Sequence, residues 1–197
     1  SKFSLIELSN GNGTYESCLM YLCSGAEYYS MSSKISFKTL LSLLISIHEK
    51  ISIERTVYRE IIKGNQHSTE HDSLFRWKNN SNPIISSMLA RWENLYMKAG
   101  GIFKPNRDNI EIINAFPSLR LIVPLYHFAK MRQNIYIGPI MKQIWRQDWD
   151  GMNARMSELC LKWGMLRDAC EHAFYIIEFW IDIVSILEFD PKQVTIS

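Results

Sequence analysis

Met165-Leu166-Arg167-Asp168-Ala169-Cys170-Glu171-His172-Ala173-Phe174-Tyr175-Ile176-Ile177-Glu178-Phe179-Trp180-Ile181-Asp182-Ile183-Val184-Ser185-Ile186-Leu187-Glu188-Phe189 is the longest clean helical pattern in the chain, and its reading decides the fold. Gly164 precedes it and Pro191 follows it, so both ends carry a helix punctuator. Leu166, Cys170, Ala173, Ile177, Trp180, Val184 and Leu187 recur in alternating steps of four and three. That is heptad spacing, and it predicts packing along a bundle or across a dimer seam. A homo-oligomer through this last helix is therefore expected.

Working back from Gly164, the same kind of pattern repeats. Asp150-Gly151 offers an N-cap for a helix from Met152 to Trp163, with Gly164 as its stop. Gly138-Pro139 starts a helix that runs through Trp145. Leu119 to Met131 is helical, with Pro124 as a kink or a first-turn residue. Residues 101–119, with Pro105 and Pro117, read as loop. Ile84 to Lys98 is a helix with Ile85, Met88, Leu89, Trp92, Leu95 and Tyr96 on one side, and Gly100-Gly101 stops it. Residues 64–83 are polar and loop-like. Phe37, Leu40, Leu41, Leu44, Ile45 and His48 open a further helix that continues to Gly64, with Ser52-Ile53-Glu54 as a break within it. In residues 1–30, Phe3 to Leu8 reads as a short strand and Asn10-Gly11-Asn12-Gly13 as a turn. Tyr15 to Cys23 is then the returning strand of a hairpin or a short helix. The fold class is all-α: a helical bundle in one domain over 1–197, with a small N-terminal segment (1–30) that forms a short hairpin on one of these readings. Residues 84–190 are the best-defined helical core.

The composition fits such a bundle. Apolar residues make up 47% of 197, with 6 Trp, 9 Phe and 9 Tyr, enough for a real core. A net charge of +2 imposes no global nucleic-acid or membrane field. Locally, residues 120–167 hold eight Lys/Arg against three acids, while 168–197 hold six acids and one Lys. This is either a helix pair that neutralises itself or a basic surface beside a phosphodiester site. Cys18, Cys23, Cys160 and Cys170 form no Cys-x-x-Cys pair, and no apolar signal segment opens the sequence. Free thiols in a reducing, cytoplasmic setting are expected. The longest apolar run, Leu40 to Ile47, is interrupted by serines and too short for a bilayer, so no membrane partner is expected.

Arg167-Asp168-x-x-x-His172 is the strongest chemical pattern. Positions five apart on a helix lie roughly 140° apart, so Arg167 matches Glu171 and Asp168 matches His172 as ordinary intrahelical pairs. The pattern also resembles the Arg-[Asn/Asp/His]-x-x-x-His signature of the HEPN superfamily (higher eukaryotes and prokaryotes nucleotide-binding). Arg120 to His127 fits a looser version of the spacing, interrupted by Pro124. The resemblance implies a helical, often dimeric, metal-independent ribonuclease of a defence or toxin-type system, without cofactor. His172 would be the general acid/base, Arg167 would stabilise the phosphate, and Asp168 would orient a neighbour. Arg132, Lys142, Arg146, Arg155 and Lys162 would contact RNA, with Trp145, Trp149 and Trp163 interleaved among the basic residues as base-stacking surfaces or as bundle core.

Other patterns weigh less. His67-Ser-Thr-Glu70-His71 matches the inverted zincin motif, but its flanks are loop-like and no metal site is expected. Asp148-Trp-Asp150-Gly151 echoes the start of a calcium loop and lacks the remaining ligands. The alternative to an enzyme is a non-catalytic helical interaction protein, such as a viral or phage accessory or structural protein or an inhibitor, with a protein partner. A third class is sequence-tolerant nucleic-acid binding through residues 120–167.

Overall fold

The computed structural model describes residues 14–25, 35–64, 82–160 and 163–188, and among these the chain is all-α with no strand. Eight helices follow in order: α1 (Thr14–Ser24), α2 (Phe37–Gly64), α3 (Asn82–Lys98), α4 (Ile110–Ala115), α5 (Leu119–Asn134), α6 (Gly138–Trp145), α7 (Trp149–Cys160) and α8 (Trp163–Glu188). The expected strand at 3–8, the turn at 10–13, the His67–His71 motif, Lys162 and the Pro191 stop lie outside the described residues. The Tyr15–Cys23 stretch is helix α1, not the returning strand of a hairpin.

α5 is the central element. α8 packs along it with the largest contact in the molecule, and α2 and α3 pack on its other sides. α1 sits against α2 and α3, while α6 and α7 pair with each other and α7 touches α8 lightly. Leu40, Leu43, Leu44, Ile47 and Ile51 of α2 are buried, at helical steps. They meet all six residues foreseen for the buried side of α3. Each large apolar side chain fully buried this way contributes about 1.5–3 kcal/mol relative to exposure. Two polar side chains at this core are answered. The Trp92 indole donates to the Leu40 carbonyl at 2.9 Å. The Gln133 amide donates to Asn82 Oδ1 at 3.1 Å and to Ser86 Oγ at 2.9 Å.

Several boundaries differ from expectation for local reasons. α2 runs unbroken through Ser52-Ile-Glu54. The Ser52 hydroxyl donates back to the His48 carbonyl at 3.1 Å, and Lys50 pairs with Glu54 at 2.5 Å, so the polar residues support the helix instead of interrupting it. Pro124 lies inside α5 and neither ends nor starts it. α4 falls in the region read as loop; six residues are too few to display a period. α7 is capped by Asp148 rather than Asp150: Asp148 Oδ1 accepts the Gly151 N–H at 2.9 Å and its carbonyl accepts that of Met152 at 3.0 Å. Gly164 lies in the first turn of α8 and does not stop the preceding helix.

On α8, of the two readings of the stripe, packing along the bundle gives way to another face. Ala169, Phe179 and Ile183 are buried, with His172 and Ile176 half-buried between them. Of the expected stripe, Cys170, Ile177, Trp180 and Val184 are exposed. The seam with α5 is thus a second 3-4 stripe on the same helix. α5 presents rings to that side, and rings and small residues pack together closely there.

Candidate functional site

An aromatic column runs from the core to the surface. Trp92 stacks on Tyr96 (ring centroids 5.2 Å apart) and on Tyr126 (5.3 Å). Phe103, in the connection after α3, meets both Tyr96 and Tyr126 edge-on. Tyr126 leads to His127, and His127 meets His172 and Tyr175 of α8 at 5.4 and 5.0 Å. The column ends in a cleft of about 440 Å³ between α3, α5, α8 and the Phe103-Lys104 connection. α8 supplies His172, Tyr175, Phe179 and Asp182, spaced three and four apart so that one face lines the cleft. α5 supplies His127 and, one turn on, Lys130.

The two imidazoles are joined through Nδ1 atoms 3.2 Å apart. A hydrogen bond between two such nitrogens needs one donor and one lone pair, so the neutral rings hold opposite tautomers. Burial, then His172, then Lys130 depress the His127 imidazole to about 4. Burial and Lys130 also lower His172, opposed by Glu171 and Asp168. Burial lowers the Lys130 ammonium, opposed by Glu93. The cation lies over the Tyr126 ring, 5.6 Å from its centroid. Glu93 accepts the Tyr126 hydroxyl at 2.5 Å, and burial with this bond raises that phenol. At the other end Lys104 faces Glu178 at 3.8 Å. Cations and acids therefore alternate along the cleft, Lys130 near Glu93 and the imidazoles and Lys104 near Glu178. Among the described residues no group of three His, Cys, Asp or Glu is placed to hold a metal ion.

The residues foreseen as a catalytic set separate. The Arg167 side chain is 71% exposed and bonds its neighbour Asp168 at 3.3 Å, while His172 turns into the cleft towards His127. Arg120 donates to Asn114 Oδ1 at 2.7 Å, so it ties α5 to α4 and does not serve His127. The foreseen RNA contacts also part. Arg132 is half-buried and engaged: it donates to His48 Nδ1 at 3.0 Å and Ser52 Oγ at 2.6 Å, and lies over the Phe128 ring. Arg155 pairs with Glu158 at 2.9 Å. Lys142 and Arg146 are exposed at the far end of α6, and Lys162 lies outside the described residues. Trp145 and Trp149 are exposed and so are not bundle core. Lys130 was missed as a site residue, and His127 was weighed only as the partner of Arg120. A three-residue step of titratable groups on an amphipathic helix was the available signal, and nothing in the sequence ties that step to a histidine 45 positions on.

No protein-family model matches the chain, and no solved structure matches it. Two curated relatives from Saccharomyces cerevisiae do. One is named probable transcription factor TDA9 and is 49% identical over 196 residues, taking in the whole of this chain and 15% of that protein. The other is named respiration factor 2 and is 42% identical over 196 residues, taking in 98% of this chain and 14% of that protein. The chain spans about one-seventh of the length of these relatives. Neither carries the name of a nuclease or of a defence system. This likeness overturns the reading of Arg167-Asp168-x-x-x-His172 as a HEPN-like ribonuclease of a defence or toxin-type system: the chain is similar throughout to a segment of a protein named as a transcription factor.

Proposed function

We propose that this chain is a helical regulatory module of a transcription regulator, acting in the nucleus and controlling transcription without itself reading DNA. The observation that carries this reading is the 49% identity along the whole chain to a segment of a protein named probable transcription factor. The surface supports the second half of the reading. DNA-contacting domains concentrate Lys and Arg on one face or helix. Here Arg132 is engaged by His48 and Ser52, Arg155 is paired, and Lys142 and Arg146 stand apart on and just after α6. The overall charge of +2 adds no strong field.

The test has two arms. In a gel-shift titration of the purified chain with duplex DNA at 50 and 200 mM salt, no complex is expected. Fused to an unrelated DNA-binding domain, the chain is expected to change the output of a reporter bearing that domain's site. Salt-dependent binding of duplex DNA by the chain alone would make it a DNA contact and reject the reading. A fusion indistinguishable from the bare DNA-binding domain would remove its regulatory part.

A further inference from the structure

We propose that the cleft between α5 and α8 is a binding site for a small carboxylic acid with an apolar or aromatic body, its carboxylate on Lys130 and the His127–His172 pair and its body against Phe103, Tyr126 and Phe179. Four observations carry this. The cleft, at about 440 Å³, lies in the size range of small-molecule sites, roughly 300–1,000 Å³. Its walls are mostly rings, which suit an apolar body.

Lys130 is half-buried with no ion pair or hydrogen bond among the described residues; its contact is the Tyr126 ring. A desolvated ammonium in that state gains most from an incoming anion. Finally, the imidazole pair stands beside it, and the ring that accepts at Nδ1 keeps its Nε2–H free to donate.

One acid, Glu93, lies near Lys130, and the others are engaged or further along the cleft. Glu93 is engaged by the Tyr126 hydroxyl and reaches Lys130 only through space. Glu178 faces Lys104. Asp182 lies ten residues along α8 from His172, about 15 Å of helix. A carboxylate between Lys130 and the imidazoles therefore meets donors and fixed positive charge, and its binding draws protons onto the pair.

The probe is 4-phenylbutyrate, with 4-phenylbutyramide as the neutral isostere, titrated calorimetrically into the purified chain at pH 7. The acid is expected to bind and the amide to bind about tenfold or more weakly, as for loss of one charge-assisted hydrogen bond. Lys130→Met, which keeps the apolar stem over Tyr126, is expected to weaken the acid about tenfold, and Lys142→Met on the remote α6 to leave it unchanged. In the wild-type chain the imidazole NMR resonances of His127 and His172 move with added acid, a readout that needs no variant to fold. No binding of the acid, equal binding of acid and amide, or imidazole resonances that stay fixed would overturn the proposal. These outcomes are read on the purified chain without a reporter, so they stand or fall separately from the transcriptional reading.

Discussion

Gly100 and Gly101 sit side by side after α3 and answer to different constraints. Gly100 has φ +80°, and a Cβ there would meet nothing within 4 Å. Its N–H bonds the Met97 carbonyl while that of Gly101 bonds Tyr96, the two bonds of a Schellman stop. The constraint at Gly100 is thus conformational alone. At Gly101 a Cβ would lie 2.5 Å from the Tyr96 ring. That ring cannot yield easily: its hydroxyl both donates to the Ile102 carbonyl and accepts the Ile102 N–H, and it stacks on Trp92. Gly100→Ala is expected to cost about 1 kcal/mol and Gly101→Ala about 2–3 kcal/mol, measured by urea unfolding. The reverse order would contradict the placement of Tyr96. The double glycine announced a helix stop in the sequence. Which of the two is the tighter position depends on a ring folded back from the helix it ends.

At the scale of elements, α8 shows how far periodicity reaches. From Ala173 to Val184 most positions are apolar, so two stripes with 3-4 spacing coexist on one helix. The stripe through Ile177 and Val184 is the more regular to the eye, yet the stripe through Ala169, Phe179 and Ile183 packs on α5. The choice is made by α5, whose Tyr126 and His127 offer flat surfaces to Phe179 and His172. Ile183 is 2% exposed and Ile181 is 58% exposed. Ile183→Asp is expected to destabilise by several kcal/mol, because it buries an unpaired carboxylate. Ile181→Asp should stay within about 0.5 kcal/mol. Thermal unfolding followed by circular dichroism compares them, and a larger loss from Ile181→Asp would put the other face of α8 inwards. Elsewhere local signals sufficed: Gly138-Pro139 opens α6 as read, and the six residues foreseen for the buried side of α3 are all inside.

Across the whole molecule, three histidines lie on or against α5. His48 of α2 sits between an acceptor and a donor. Arg132 can only donate to its Nδ1, so its Nε2 carries the proton and donates to the Leu125 carbonyl at 3.0 Å. Burial lowers its pKa first, and Arg132 adds to that. His127 and His172 on the opposite side are lowered too, His127 to about 4. A lowered folded-state pKa means that the unfolded chain takes up protons first, at its ordinary value of about 6.5. Stability is therefore full above that value and is lost as pH falls below it, continuing down to about 4 for His127. The urea midpoint is expected to drop steadily from pH 7 to pH 4.5, and less steeply in His127→Gln. A midpoint that is flat across this window would mean that the imidazoles are not held neutral in the folded chain.

By itself the sequence determined that this chain is an all-α bundle and set most helix limits, because glycine, proline, caps and hydrophobic period act within a few residues. It also supplied a motif, Arg167-Asp168-x-x-x-His172, whose arginine and histidine stand five residues apart, out of phase with the helix turn. Only the tertiary structure decided that His172 meets His127 across 45 residues and that Arg167 stays in solvent on Asp168. It also decided that Arg132 is engaged by His48, 84 residues away. Those outcomes come from how α5 lies between α2 and α8, and such long-range packing leaves no local signature in either partner.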